Sequence, residues 1–175
     1  CRLLIRKELI EKNQVRFSHE VQYMEDLIFC VQTLLRSRTI SIDHGLYYHY
    51  VFRSDSASYK YRVDMEIGVR QVFEMLEDIL TEEAVYDELE GRMTLRYVNS
   101  CIELVANEAH FDNKKSFSER LEVIGSYCQD KRLKHILTSV SIKGFRKKLV
   151  LLALKHEWEL LLYLYFRVRI RLIQS

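Results

Sequence analysis

Apolar residues recur at helical spacing along most of the chain. Leu27, Ile28, Val31, Leu34 and Leu35 fall three and four apart, which predicts a helix over 25–35 with one apolar face. Leu4, Ile5, Leu9 and Ile10 predict a short helix over 3–11, with Asn13 as its C-terminal cap. From Val63 onward the helical period takes over. Val69, Val72, Phe73, Leu76, Ile79 and Leu80 define one helix. Val85, Leu89, Met93, Tyr97, Cys101, Leu104 and Val105 define a longer one ending near His110. Ser116 and Glu119 match a capping box ahead of Phe117, Leu121, Ile124 and Cys128. Leu133, Ile136, Leu137 and Val140 mark the next helix, and a single last helix is expected over 145–172.

A different pattern interrupts the early part of the chain. Val15-Arg16-Phe17 reads as a short extended piece. Thr39-Ile40-Ser41-Ile42 alternates as a strand does. Asp43-His44-Gly45 supplies turn chemistry, with Gly45 able to take positive φ. Residues 46–52 are rich in tyrosine and β-branched side chains and read as the next strand. The expected class is therefore α+β, mainly α: short strands near 15–17, 39–43 and 46–52, then an all-helical bundle. Three regions follow, 1–60, 61–142 and 143–175.

Composition changes this picture in two ways. Proline is absent, where average usage gives about nine in a chain of this length, and only five glycines occur. With so few breakers most of the chain is free to be helical. No GxGxxG and no GxxxxGK[ST] is present, so no glycine-rich phosphate loop is expected. The four cysteines, Cys1, Cys30, Cys101 and Cys128, lack CxxC or Cys/His ligand spacing. Cys30 and Cys101 sit among apolar helical positions and read as buried free thiols, which suits a reducing, cytosolic setting.

The net charge of +2 hides an asymmetry. Residues 64–110 carry 12 acidic and 3 basic side chains, and residues 143–175 carry 8 basic and 2 acidic. The acidic helices, and the lack of a basic stripe interleaved with aromatics, argue against nucleic acid as a partner. The last helix is unusual. Its longest uncharged run, 160–166, is seven residues, whereas a membrane span needs about 20. Arg146, Lys147 and Lys148 stand at one end and Arg167, Arg169 and Arg171 at the other. An apolar body with Trp and Tyr between basic ends suits a helix lying in a membrane interface. Packing on the other helices, or on a second copy, suits it equally.

Glu25 and Asp26 head the helix expected over 25–35. From pattern alone they are carboxylates stabilised by a helix N-terminus. Their neighbours add a resemblance. In order come Ile5-Arg6-Lys7-Glu8-Leu9-Ile10, Val15-Arg16-Phe17, Met24-Glu25-Asp26-Leu27-Ile28-Phe29, and Leu46-Tyr47-Tyr48-His49-Tyr50 followed by Arg53 and Ser56. Together these resemble the C-terminal end of the catalytic domain of family 2 inverting glycosyltransferases, which have the GT-A fold. The match covers about a third of the chain. The helical remainder is similar to that family's variable extensions only loosely.

The resemblance implies roles. Asp26 is the expected general base, taking a proton from an acceptor hydroxyl as it attacks the anomeric carbon of a nucleotide sugar. Glu25 is expected to orient the helix start. Arg53, with Ser56, matches a loop that covers the donor diphosphate, and an arginine fork suits that charge. Tyr48 and His49 are expected to line the same cleft, the alternative for the tyrosines being strand packing. The family also implies a divalent metal, Mg or Mn, bound by a DxD motif. No Asp-x-Asp occurs here. The donor-binding half is therefore expected upstream of Cys1, and this piece alone is expected to be inactive. The partners implied are a nucleotide-sugar donor and a glycan or lipid-linked acceptor for a cell-surface polysaccharide. The place implied is the cytoplasm, at the inner face of the cell membrane, with self-association open. The competing reading is a helical interaction or regulatory module without chemistry.

Overall fold

In a computed structural model that describes residues 3–19, 21, 23–49, 51, 60–139 and 144–174, the described residues form eight helices and no strand. The helices are α1 (Lys7–Lys12), α2 (Glu25–Leu35), α3 (Met65–Glu82), α4 (Tyr86–Glu108), α5 (Phe117–Cys128), α6 (Lys131–Ser139), α7 (Phe145–Lys155) and α8 (Glu159–Gln174). The chain is mainly α, as the 3.6-residue period predicts. Two compact units divide it: Cys1–Phe52 with Glu66–Leu89, and Arg53–Met65 with Glu90–Ser175.

Three helices end without glycine in the same way. Gln14, Ala84 and Glu157 take left-handed backbone, with φ of 52°, 55° and 55°. The next residue's N–H reaches back in each case: Val15 to the Ile10 carbonyl at 3.1 Å, Val85 to Leu80 at 3.0 Å, and Trp158 to Ala153 at 2.9 Å. The left-handed residue itself bonds Glu11, Thr81 or Leu154. This is the Schellman arrangement, which satisfies terminal carbonyls but usually recruits glycine. A side chain in that conformation costs about 1 kcal/mol or more. The third of these turns cuts the expected 145–172 helix into α7 and α8. Glu157 offsets the strain there, because its carboxylate accepts from Lys134 Nζ at 2.6 Å and Gln129 Nε2 at 3.3 Å.

The expected strands are absent among the described residues. Residues 15–17, 39–43, 46–49 and 51 hold no ladder; Tyr50 and Phe52 lie outside the described residues. A strand needs a partner's N–H and C=O groups, and the described chain brings none. Val15 instead completes the turn after α1, and Phe17 stacks on Phe29 with ring centroids 4.2 Å apart. The Asp43 turn closes locally. Asp43 Oδ1 accepts from the Gly45 N–H at 2.7 Å, and its Oδ2 accepts from the Tyr47 hydroxyl at 3.2 Å. Gly45 does not use positive φ, and the crowding a side chain would meet there comes from the far end of the exposed Tyr47 ring, which can swing aside. A Cβ there would meet the Tyr47 ring at 2.3 Å.

In the first unit the core holds Val15, Val21, Ile28, Phe29, Val69, Val72, Phe73, Leu76 and Leu80. An Arg36–Glu83 ion pair joins the end of α2 to the turn after α3. In the second unit α8 packs on α5 and α7, and α7 packs on α6. Ser116 caps α5 as read from sequence: its Oγ accepts from Glu119 N at 3.3 Å, and Glu119 Oε2 accepts from Ser116 N at 2.6 Å. Asn107 holds the 60–64 segment by donating to the Arg62 carbonyl at 2.8 Å and accepting from its N–H at 2.9 Å.

Cys101 and Cys128 are buried free thiols, whereas Cys30 is only half-buried. Burial, with the Asp130 charge adding to it, pushes Cys101 up to about 12. Burial, then Glu159 and Glu157, does the same for Cys128. Burial also raises the Tyr97 phenol, whose hydroxyl donates to Asp130 at 3.0 Å. A folded-state pKa raised above the unfolded value gives stability that is complete below the unfolded pKa. It is lost as pH rises toward the folded one. Stability should therefore fall between pH 9 and about 12, by a few kcal/mol from Cys101 alone, since one pKa unit is about 1.4 kcal/mol. Urea midpoints measured across this range check it. Cys101→Ala should flatten the alkaline slope, and an unchanged slope would contradict the assignment.

Candidate functional site

The turn that carries Glu25 and Asp26 is set by two close fits. Val21 is buried, and Tyr23 lies against Gly68 of α3, where a Cβ would meet the Tyr23 Cβ at 2.9 Å. No side chain at position 68 fits without displacing Tyr23. Met24 then takes left-handed backbone at φ 59° and turns the chain into α2. Its carbonyl accepts from the Leu27 N–H at 3.0 Å, and its side chain makes no capping hydrogen bond. Strained backbone of this kind persists only where the surroundings hold it. Here Tyr23 against α3 on one side, and Ile28 and Phe29 buried on the other, do so.

Glu25 and Asp26 occupy the first turn of α2, where N–H groups without helical partners favour negative charge. Glu25 is half-buried and Asp26 is exposed. The Asp26 carboxylate thus faces solvent at the head of a helix whose opposite side is fixed in the core. One turn along, burial first and the Asp26 charge second raise the Cys30 thiol. Tyr48 and His49 belong to the same unit and are exposed, so the tyrosine is not packed as a strand residue. Among the described residues, no hydrogen bond or ion pair joins either carboxylate to Tyr48 or His49. Arg53 and Ser56 lie outside the described residues.

The implied divalent metal finds no ligand set here. Among the described residues no group of three or more His, Cys, Asp or Glu is arranged to hold a metal ion.

A second polar cluster escaped the reading of the sequence. At the end of α4, the buried Glu108 accepts from Lys115 Nζ at 3.0 Å with both oxygens and from Asn113 Nδ2 at 2.8 Å. Burial works against the Lys115 charge, but the hydrogen bond and charge of Glu108, with Tyr61, outweigh it and raise its pKa. The buried Arg120 guanidinium donates to the carbonyls of Lys115 at 2.9 Å, His110 at 3.3 Å and Asn113 at 2.5 Å. These groups satisfy one another and fasten the loop between α4 and α5. His110 Nδ1 accepts from the Asp112 N–H at 3.1 Å, while its buried Nε2 has no partner among the described residues. The partners are seven and five residues apart across a helix end, so no periodicity announces them.

Comparison of the chain with protein-family models, with curated proteins and with solved structures found no match.

Proposed function

We propose that this chain is the C-terminal, acceptor-side part of an inverting, nucleotide-sugar-dependent glycosyltransferase of the GT-A fold. It builds a cell-surface polysaccharide from the cytoplasmic face of the membrane. The observation that carries the reading is the exposed Asp26 carboxylate at the head of α2, behind the left-handed Met24. A carboxylate fixed there but open to solvent can receive a proton from an incoming hydroxyl. The acceptor oxygen forms its bond to the anomeric carbon, the bond from that carbon to the diphosphate breaks, and the acceptor's proton goes to Asp26. Glu25 steadies the turn. Arg53 and Ser56 take the diphosphate charge, and Tyr48 and His49 line the acceptor side. The exposed apolar residues Ile40, Ile42, Leu46 and Val51 support a missing neighbour, since they suit strands that pair only when the donor-binding half supplies a ladder. That half also holds the divalent metal.

The test compares two proteins. The longest polypeptide containing this chain, given nucleotide sugars with Mg or Mn and a glycan acceptor, should release nucleoside diphosphate. Residues 1–175 alone should not. Turnover by residues 1–175 alone, or none by the longer polypeptide across the common donors, would overturn the reading. The second reading, a helical interaction module without chemistry, is favoured by the run of helices α3 to α8.

A further inference from the structure

α8 is apolar on two sides. Leu162 and Phe166 are buried, and Tyr163 meets the Phe117 ring of α5 edge-on at 5.3 Å. On the other side Leu160, Leu161, Leu164, Val168 and Leu172 are between 49% and 73% exposed. At 100° per residue, 160, 164, 168 and 172 drift by 40° a step, so they cover an outward arc of about 120°. Such a stripe ordinarily faces a core. Here that role is already taken by Leu162 and Phe166. α7 repeats the feature, with Phe145, Leu149 and Leu152 exposed at spacings of four and three.

The charges around this surface have one sign. Arg146, Lys147, Lys148 and Lys155 on α7 and Arg169 and Arg171 on α8 are all exposed. The carboxylates of the region are turned toward protein. Glu157 is held by Lys134 and Gln129, and Glu159 lies against α5, where a Cβ on Gly125 would meet its Oε1 at 3.3 Å. No helix among the described residues is long and apolar enough to cross a membrane.

We propose that the outer face of α8, with α7 beside it in sequence, docks in the plane of an anionic lipid bilayer. The leucines enter the acyl boundary and the arginines and lysines meet the headgroups. A second copy of the same face is a poorer occupant, because pairing it with itself sets cation against cation. This inference stands apart from the transferase reading: it rests on α7 and α8 alone.

The experiment is vesicle flotation of the full chain, with the fluorescence of the single tryptophan, Trp158 at the α7–α8 corner, as a second readout. Wild type should float with mixed phosphatidylglycerol–phosphatidylcholine vesicles and shift its emission to the blue. It should remain free with pure phosphatidylcholine, and salt should weaken binding. Leu164→Asp with Val168→Asp changes exposed positions only. It should abolish flotation and leave the helical circular dichroism intact. Arg169→Gln and Arg171→Gln should each weaken binding roughly five-fold. No flotation of wild type, or flotation unaffected by the aspartates, overturns the proposal. So does a concentration-dependent dimer, without vesicle binding, that the aspartates dissolve.

Discussion

Arg120→Met should lower the stability of the second unit by about 3–5 kcal/mol, the loss expected when several hydrogen bonds from one charged donor to backbone carbonyls are removed together. The guanidinium is buried and serves three carbonyls, those of His110, Asn113 and Lys115. Methionine keeps the aliphatic volume but offers no donor, so two buried acceptors and a part-buried one lose their partner, the buried ones at about 1–3 kcal/mol each before relaxation. The same loop presents Asn113 and Lys115 to the buried Glu108, so loosening it also exposes that carboxylate to mispairing. Arg120→Lys should recover little, because one ammonium cannot span three carbonyls set out for a planar fork. Urea unfolding followed by circular dichroism measures the effect. A loss below about 1 kcal/mol would mean that the loop is held chiefly by Glu108, Asn113 and Lys115.

The helices were legible because burial imposes a period. The bounds of α2, Glu25–Leu35, are those read from the sequence, but of the five residues that predict its apolar face only Ile28 is buried; Leu34 is exposed, and Phe29 and Thr33, off that stripe, take the other buried positions. The capping box at Ser116 was legible because it is a local rule with fixed spacing. Helix ends without glycine were not. Nothing in His156-Glu157-Trp158 announces a break, since the compensation comes from Lys134 and Gln129 more than 20 residues away. The strands are absent among the described residues for a related reason. Alternation in 39–42 describes a residue's suitability for a ladder, and a ladder also needs a second strand. The Glu108–Arg120 cluster was invisible because its members meet only once α4 has ended and the chain has turned. At the candidate site the sequence located Glu25 and Asp26, but the left-handed Met24 and the close fit of Tyr23 on Gly68 are tertiary facts.

Asp26 carries the largest effect expected on activity. A positioned general base contributes about 10²- to 10⁴-fold to a rate. Asparagine keeps the size and a hydrogen-bonding oxygen but cannot take up the acceptor's proton at neutral pH. Asp26 is exposed, so the substitution leaves no cavity and no buried group unpaired. Only the first-turn charge is lost, a matter of less than about 1 kcal/mol. Activity and stability should therefore separate. Glu25→Gln, one residue earlier, should affect turnover far less.

The most direct measurement is nucleotide-sugar turnover by the longest polypeptide containing this chain, as wild type and as Asp26→Asn, with melting recorded on the same samples. The predicted result is a loss of about 10²-fold or more at an unchanged melting temperature. Near-normal turnover by Asp26→Asn, or a loss matched by unfolding, would contradict the assignment of Asp26 as the base.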